Sequence, residues 1–215
     1  MRIVGCEILH CNAGWRDFSF LKLMTDENIT GISEYNECYG SPGLSGIIRR
    51  LVERVKDMDP LAHEHIHQCL YAATRQAPGG VNQQAIAAIE NALLDIKGQA
   101  LNIPVYDILG GAIRKEIPVY WSHCGTYIWR PEIAELCGVE AIRKTEDLFN
   151  LGKRVKDQGF LGLKTNMITF NEDVGASLYM PGTAGRPGWP DLNVPASLIG
   201  QLRDCLLYTS PSPRD

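Results

Sequence analysis

The segment Ala85 to Gly111, AIAAIENALLDIKGQALNIPVYDILGG, constrains the fold more than any other part of the chain. Ala85, Ile86, Ala88, Ile89, Ala92, Leu93 and Ile96 recur at three- and four-residue steps, the period of one buried helix face. Glu90 and Asp95 lie among these apolar positions. Five residues apart on a helix, they point in different directions, so each is expected to make structural hydrogen bonds rather than form an acid/base pair. Lys97-Gly98 predicts the helix end. A short helix, Val105 to Leu109, then closes on Gly110-Gly111, where glycine can take the left-handed cap conformation. Ile117-Pro118-Val119-Tyr120-Trp121 follows as an apolar strand. Physics alone gives a buried helix feeding a buried strand.

Upstream, residues 3–10, 18–24 and 29–35 read as strands, with Thr25-Asp26-Glu27-Asn28 supplying hairpin turn chemistry between the second and third. Cys11 to Asp17 and Cys38 to Gly43 read as loops. Helices are predicted at about 44–57 and at about 60–74, the latter with Pro60 at its start. Three strands followed by three helices form an α+β pattern. After residue 117 the grammar changes. A strand at 117–123, a helix at about 138–157, Gly159 and a strand at 161–167 make a parallel strand–helix–strand crossover. Residues 168–191 are rich in Gly and Pro and read as a long loop carrying Arg186 and Trp189, either a lid or an insertion. A further helix is expected at about 193–205, with Asn193 as N-cap.

The wording of 85–123 resembles the mandelate racemase and muconate-lactonizing branch of the enolase superfamily, and the resemblance extends over about residues 2–167. It implies an α+β capping domain, a three-stranded antiparallel sheet plus helices, followed by a (β/α)8 barrel. A barrel alone takes about 250 residues, so 215 residues hold only its first two βα units. The expected organisation is a capping domain at 1–113, a partial barrel at 114–205 and a probable non-native tail at 206–215, whose wording looks like translated adapter sequence. The chain is thus expected to be a C-terminally truncated reading frame.

Barrel chemistry sits at the C-terminal ends of strands. Here these ends are Trp121-Ser122-His123-Cys124 and Leu163-Lys164-Thr165-Asn166. The resemblance implies a Ser-His pair at the first and Lys-x-Lys at the second. The chain keeps Ser122, His123 and Lys164 but carries Asn166 in place of a lysine. By the resemblance, Lys164 neutralises carboxylate charge while magnesium stabilises an enediolate. Asn166 has no titratable proton and cannot be the general base, though it can orient a hydroxyl or carboxylate. Lys-x-Asn resembles galactonate dehydratase-like members, whose base is a histidine from a later strand. Strand alternation allows one of Ser122 and His123 to face the site; the resemblance favours Ser122, and His123 is as well explained by packing. The loops 11–17 and 37–44 would read the distal end of the substrate through Trp15, Arg16 and Tyr39, an aromatic wall, a fork of donors and a phenol.

The resemblance therefore implies a fragment of a magnesium-dependent acid-sugar dehydratase, catalytically incomplete because the metal ligands, an Asp and two Glu, would lie on later strands. The alternatives are a racemase, epimerase or cycloisomerase of the same superfamily, and a non-catalytic cap-domain binding protein. The expected partner is a small carboxylate, a sugar acid, with homo-oligomers in the longer form.

Other patterns exclude more than they assign. His63, His65 and His67 stand about 200° apart in succession on a helix and cannot converge on a metal, so they read as surface histidines. Seven dispersed cysteines without a C-x-x-C pair read as reduced thiols, buried or half-buried. Net charge of -4 with both signs interspersed gives no basic surface for nucleic acid. No apolar run nears the roughly 18 residues of a membrane span. The N-terminus lacks a secretory pattern, and the expected location is cytoplasmic.

Overall fold

The computed structural model describes residues 1–38, 40–122, 127–165, 168–171 and 175–178. Its contacts divide the chain into two units, Met1–Lys115 and Glu116–Asp215.

The first unit opens with three antiparallel strands in the order β1 (Ile3–Asn12), β2 (Asp17–Thr25), β3 (Thr30–Tyr35). Alternation sorts β2 cleanly: Ser19, Leu21, Leu23 and Thr25 are buried, and their cross-strand partners Tyr35, Ser33 and Gly31 on β3 are buried with them. Three helices cover this face: α1 (Leu44–Val55), α2 (His63–Ala73) and α3 (Gly80–Leu101). The alanine-rich stripe of α3 lies directly against β3. A Cβ at Gly31 would sit 2.0 Å from the Ala92 carbonyl oxygen, so only glycine permits this approach. The Asp95 carboxylate accepts the Ile32 N–H at 2.8 Å, and Gln99 donates to the Thr30 carbonyl at 2.8 Å, fixing helix to strand. Ile48, Val52, Ile66, Leu70, Ile86, Ile89 and Leu93 complete one continuous core.

Two helix limits differ from the sequence expectation. Gly98 does not end α3, which runs on to Leu101 and is capped by Asn102 at φ 53°. Gly98 is instead a contact point: a Cβ there would lie 3.0 Å from the Ile103 carbonyl oxygen, where the chain folds back into α4 (Val105–Ile108). Pro60 does not start α2. Asp59 accepts the Leu61 N–H with its side chain at 3.0 Å and the Ala62 N–H with its carbonyl at 3.2 Å, and this turn delays the helix to His63.

In the second unit the predicted helix 138–157 is helical only from Thr145, as α6 (Thr145–Asp157), and a separate short helix, α5 (Pro131–Leu136), precedes it. Gly138, at φ 63°, terminates α5 through a Val139 N–H to Ala134 carbonyl bond of 2.9 Å. Asp147 reaches back to the Arg143 and Lys144 N–H groups at 2.8 and 3.0 Å and so sets the start of α6. Among the described residues, the predicted strands 117–123 and 161–167 meet in one isolated parallel bridge, Trp121 with Leu163. Trp121 N–H donates to the Gly162 carbonyl at 3.0 Å, and Lys164 N–H donates to the Trp121 carbonyl at 2.9 Å. Leu161 N–H reaches the Val119 carbonyl at 3.4 Å on the preceding step. With α5 and α6 between its two arms, this is the strand–helix–strand crossover. Part of the expected loop 168–191 is instead an antiparallel hairpin, β4 (Ile168–Asn171) and β5 (Gly175–Leu178), whose Ile168 and Ala176 join Leu148, Leu151 and Val155 in a small core. Residues 179–215, including the helix expected at 193–205, lie outside the described residues.

Candidate functional site

In the first unit, the loop joining β1 to β2 is held by its own side chains. Asn12 donates to the Asp17 carboxylate at 2.7 Å and accepts the Gly14 N–H at 2.8 Å, while Ala13 N–H reaches the Arg16 carbonyl at 3.0 Å. Trp15 meets Phe18 edge-on at 6.0 Å. The Arg16 guanidinium lies 4.1 Å from the Phe18 ring centre and 5.4 Å from that of Trp15, and pairs with Glu34 at 3.5 Å. Its fork is therefore partly committed to the hairpin itself, and the loop is a rigid rim rather than a free tether.

The second loop owes its shape to Glu37, which the sequence reading used only as a boundary. One carboxylate oxygen accepts the Gly43 N–H at 2.9 Å, and the other accepts the Ser45 hydroxyl. The Tyr35 phenol also bonds the buried Ser45 hydroxyl, at 2.6 Å. Ser41 donates to Gln84 of α3 at 2.7 Å. Burial pushes the Glu37 carboxyl up, but the Ser45 hydroxyl and the Ser45 and Gly43 backbone N–H groups at the start of α1 more than reverse this, so its pKa lies below the ordinary carboxylate value. Burial raises the Tyr35 phenol pKa. A carboxylate a few residues ahead of a helix that starts on a bare glycine was the signal for this lock. Tyr39, inside the loop, lies outside the described residues.

In the second unit, Trp121 stacks on Phe160 at 5.6 Å, and Arg154 of α6 lies 5.4 Å from its ring centre; Trp121 and Leu163 both pack on the α6 core. Side chains alternate along extended chain. Ser122 and Lys164 each follow a bridged residue directly in the chain, and both are exposed. The structure thus sets Ser122 and Lys164 beside the bridged residues Trp121 and Leu163; His123 and Asn166 lie outside the described residues.

The remaining candidates resolve as structure. His67 bonds Glu90 at 3.0 Å, and the His63 ring stands 3.3 Å from the Lys97 ammonium. His63 and His67 are half-buried between α2 and α3, not surface groups; His65 is exposed. Cys11, Cys38, Cys69 and Cys137 are exposed, contrary to the expectation of buried thiols, because they occupy loops, a strand end and an outer helix face. Cys6 alone among the described cysteines is half-buried, and burial raises its thiol pKa. Among the described residues no three His, Cys, Asp or Glu side chains form a group that could hold a metal ion, so these residues by themselves do not fit a magnesium site. No helix among the described residues is long and apolar enough to cross a membrane.

A three-stranded antiparallel sheet covered by helices is the architecture of a capping domain, and a parallel crossover follows it in the chain. Residues 11–110 match the model of the mandelate racemase / muconate lactonizing enzyme N-terminal domain. The first unit matches this domain, and through it the chain is similar to members of that family within the enolase superfamily. The D-galactonate dehydratase of Xanthomonas axonopodis pv. citri (strain 306) is 35% identical over 127 residues, which are 56% of this chain and 31% of that enzyme. A Burkholderia xenovorans strain LB400 protein, provisionally named an L-alanine-DL-glutamate epimerase and crystallised with magnesium and fumarate, is 35% identical with a TM-score of 0.85, over 95% of this chain and 51% of that one. A Mesorhizobium loti protein provisionally named a dehydratase shares the fold at 24% identity and TM-score 0.76, over 95% of this chain and 50% of that one. The match spans about a third of the curated relatives and about half of these solved structures.

Proposed function

We propose that this chain is the capping domain (1–113) and opening barrel strands (114–205) of an acid-sugar dehydratase, with 206–215 a non-native tail. The reaction removes the proton next to a carboxylate and expels the neighbouring hydroxyl as water. The observation that carries the reading is the Trp121–Leu163 bridge, with exposed Ser122 and Lys164 one residue beyond it, in a chain 35% identical over 127 residues to a D-galactonate dehydratase. In this reading the Lys164 ammonium offsets the charge of the substrate carboxylate, and Ser122 supplies a hydroxyl to hydrogen-bond an adjacent oxygen. Asn166 orients a substrate hydroxyl or carboxylate and takes no proton. Trp15, Arg16 and Tyr39 read the distal hydroxyls, and His123 packs or assists. The parent protein requires magnesium, held by groups other than those described here; the residues in hand carry no step through it. The chain as it stands has no turnover, and its parent is a cytoplasmic homo-oligomer.

The epimerase name of the Burkholderia relative favours a second reading, racemisation or epimerisation, with cycloisomerisation beside it. A non-catalytic binding protein built on the cap is the third. The gene product from the source DNA, incubated with magnesium and a panel of aldonic acids in deuterium oxide, separates them. Dehydration forms a 2-keto-3-deoxy acid and loses water. Epimerisation places deuterium at the α-carbon with every hydroxyl retained. Neither product from any acid, with bound acid still detectable, leaves the binding protein.

A further inference from the structure

The helical layer of the first unit contains a cavity of about 250 Å³ that none of the proposed chemistry uses. Its apolar side comes from Ile47 and Leu51 of α1, and its polar side from Arg50 and Arg54 of α1 with Gln76 from the α2–α3 connection and Asn82 from the first turn of α3. Arg50 and Arg54 stand one helical turn apart and so present their guanidinium groups along the same ridge. No acidic residue lines the cavity, and neither arginine has an ion pair or hydrogen bond among the described residues. Asn82 donates to the Ala77 carbonyl at 2.8 Å, which holds the far wall in place.

We propose that this cavity binds a small organic carboxylate. Three features select that class. Two adjacent guanidinium forks without a carboxylate partner match a planar oxyanion better than a neutral molecule. The apolar wall of Ile47 and Leu51 suits a short hydrocarbon stem, which inorganic anions lack. The volume falls below the roughly 300 Å³ at which drug-sized pockets begin, so the ligand is metabolite-sized. None of Trp15, Arg16, Ser122 or Lys164 lines the cavity, and the proposal stands whether or not the dehydratase reading does.

The test is calorimetric titration of the chain with succinate at fixed ionic strength, with inorganic phosphate and butanol as comparison probes. Saturable succinate binding is expected, with phosphate and butanol each at least tenfold weaker. The paired variant Arg50→Gln/Arg54→Gln should lose at least tenfold in affinity while keeping its circular dichroism spectrum, since both side chains are exposed. Arg50→Lys/Arg54→Lys, which keeps charge but not the fork, should fall between. Non-saturating succinate titration, phosphate binding equal to succinate, or wild-type affinity in either paired variant would overturn the proposal.

Discussion

The two units solve the same problem with unequal means. The first buries Leu21, Leu23, Ile48, Ile66, Ile89, Leu93 and Ile96 completely between one sheet face and three helices. The second, among the described residues, buries a small cluster around α6 that includes Leu148, Leu151 and Val155, while Ile117, Val119, Tyr120 and Leu161 remain 74%, 62%, 56% and 59% exposed. The capping domain draws its stability from surfaces it carries itself. The crossover presents apolar strand faces that a barrel would cover with further strands. The loops of the cap are locked by the side chains of Asn12, Asp17 and Glu37.

The sharpest way to break this comparison is Gly31→Val. Its Cβ would collide with the Ala92 backbone, so the variant should lose about 3 kcal/mol or more and leave the cap unfolded at room temperature, as read by urea denaturation. Next, Leu93→Ala should cost roughly 2–5 kcal/mol in the first unit. Val155→Ala in the second unit should leave the transition of the first unmoved; a shared shift would show that the two unfold together.

Ser45→Ala strips partners from the Tyr35 phenol and the Glu37 carboxylate, at a cost of about 1–3 kcal/mol, and should speed amide exchange across 38–43. The Glu37 pKa is lower folded than unfolded, so its contribution is present above the ordinary carboxylate value of 4.5 and is lost as pH falls through the folded value. Wild-type stability should therefore drop on acidification more steeply than that of Glu37→Gln. Arg16→Ala, the mildest change, should cost about 1 kcal/mol through its lost ring and Glu34 contacts, measured as a small fall in thermal midpoint.

Periodicity made the cap legible. The stripe from Ala85 to Ile96 and the alternation in β2 are local signals that tertiary packing reinforces. What escaped was decided by contacts distant in sequence or by fine turn chemistry. Gly98 looked like a helix stop and is a close-packing point; Gly138 was placed inside a helix and ends one. Glu37 carried no motif, because its importance lies in where Gly43 and Ser45 bring their donors. At the candidate site, the Trp121–Leu163 pairing fixes which residues of the two segments stand opposite one another, a relation that needed both strand positions at once.

The central claim is that the second unit is the opening of a barrel whose remaining strands complete the chemistry. Sequencing the source DNA across the codon for Cys205 tests it most directly. The account predicts a frame that continues past Arg203 into further strands ending in Asp, Glu and Glu, with a histidine base beside them. A natural stop codon immediately after Asp215 would contradict it.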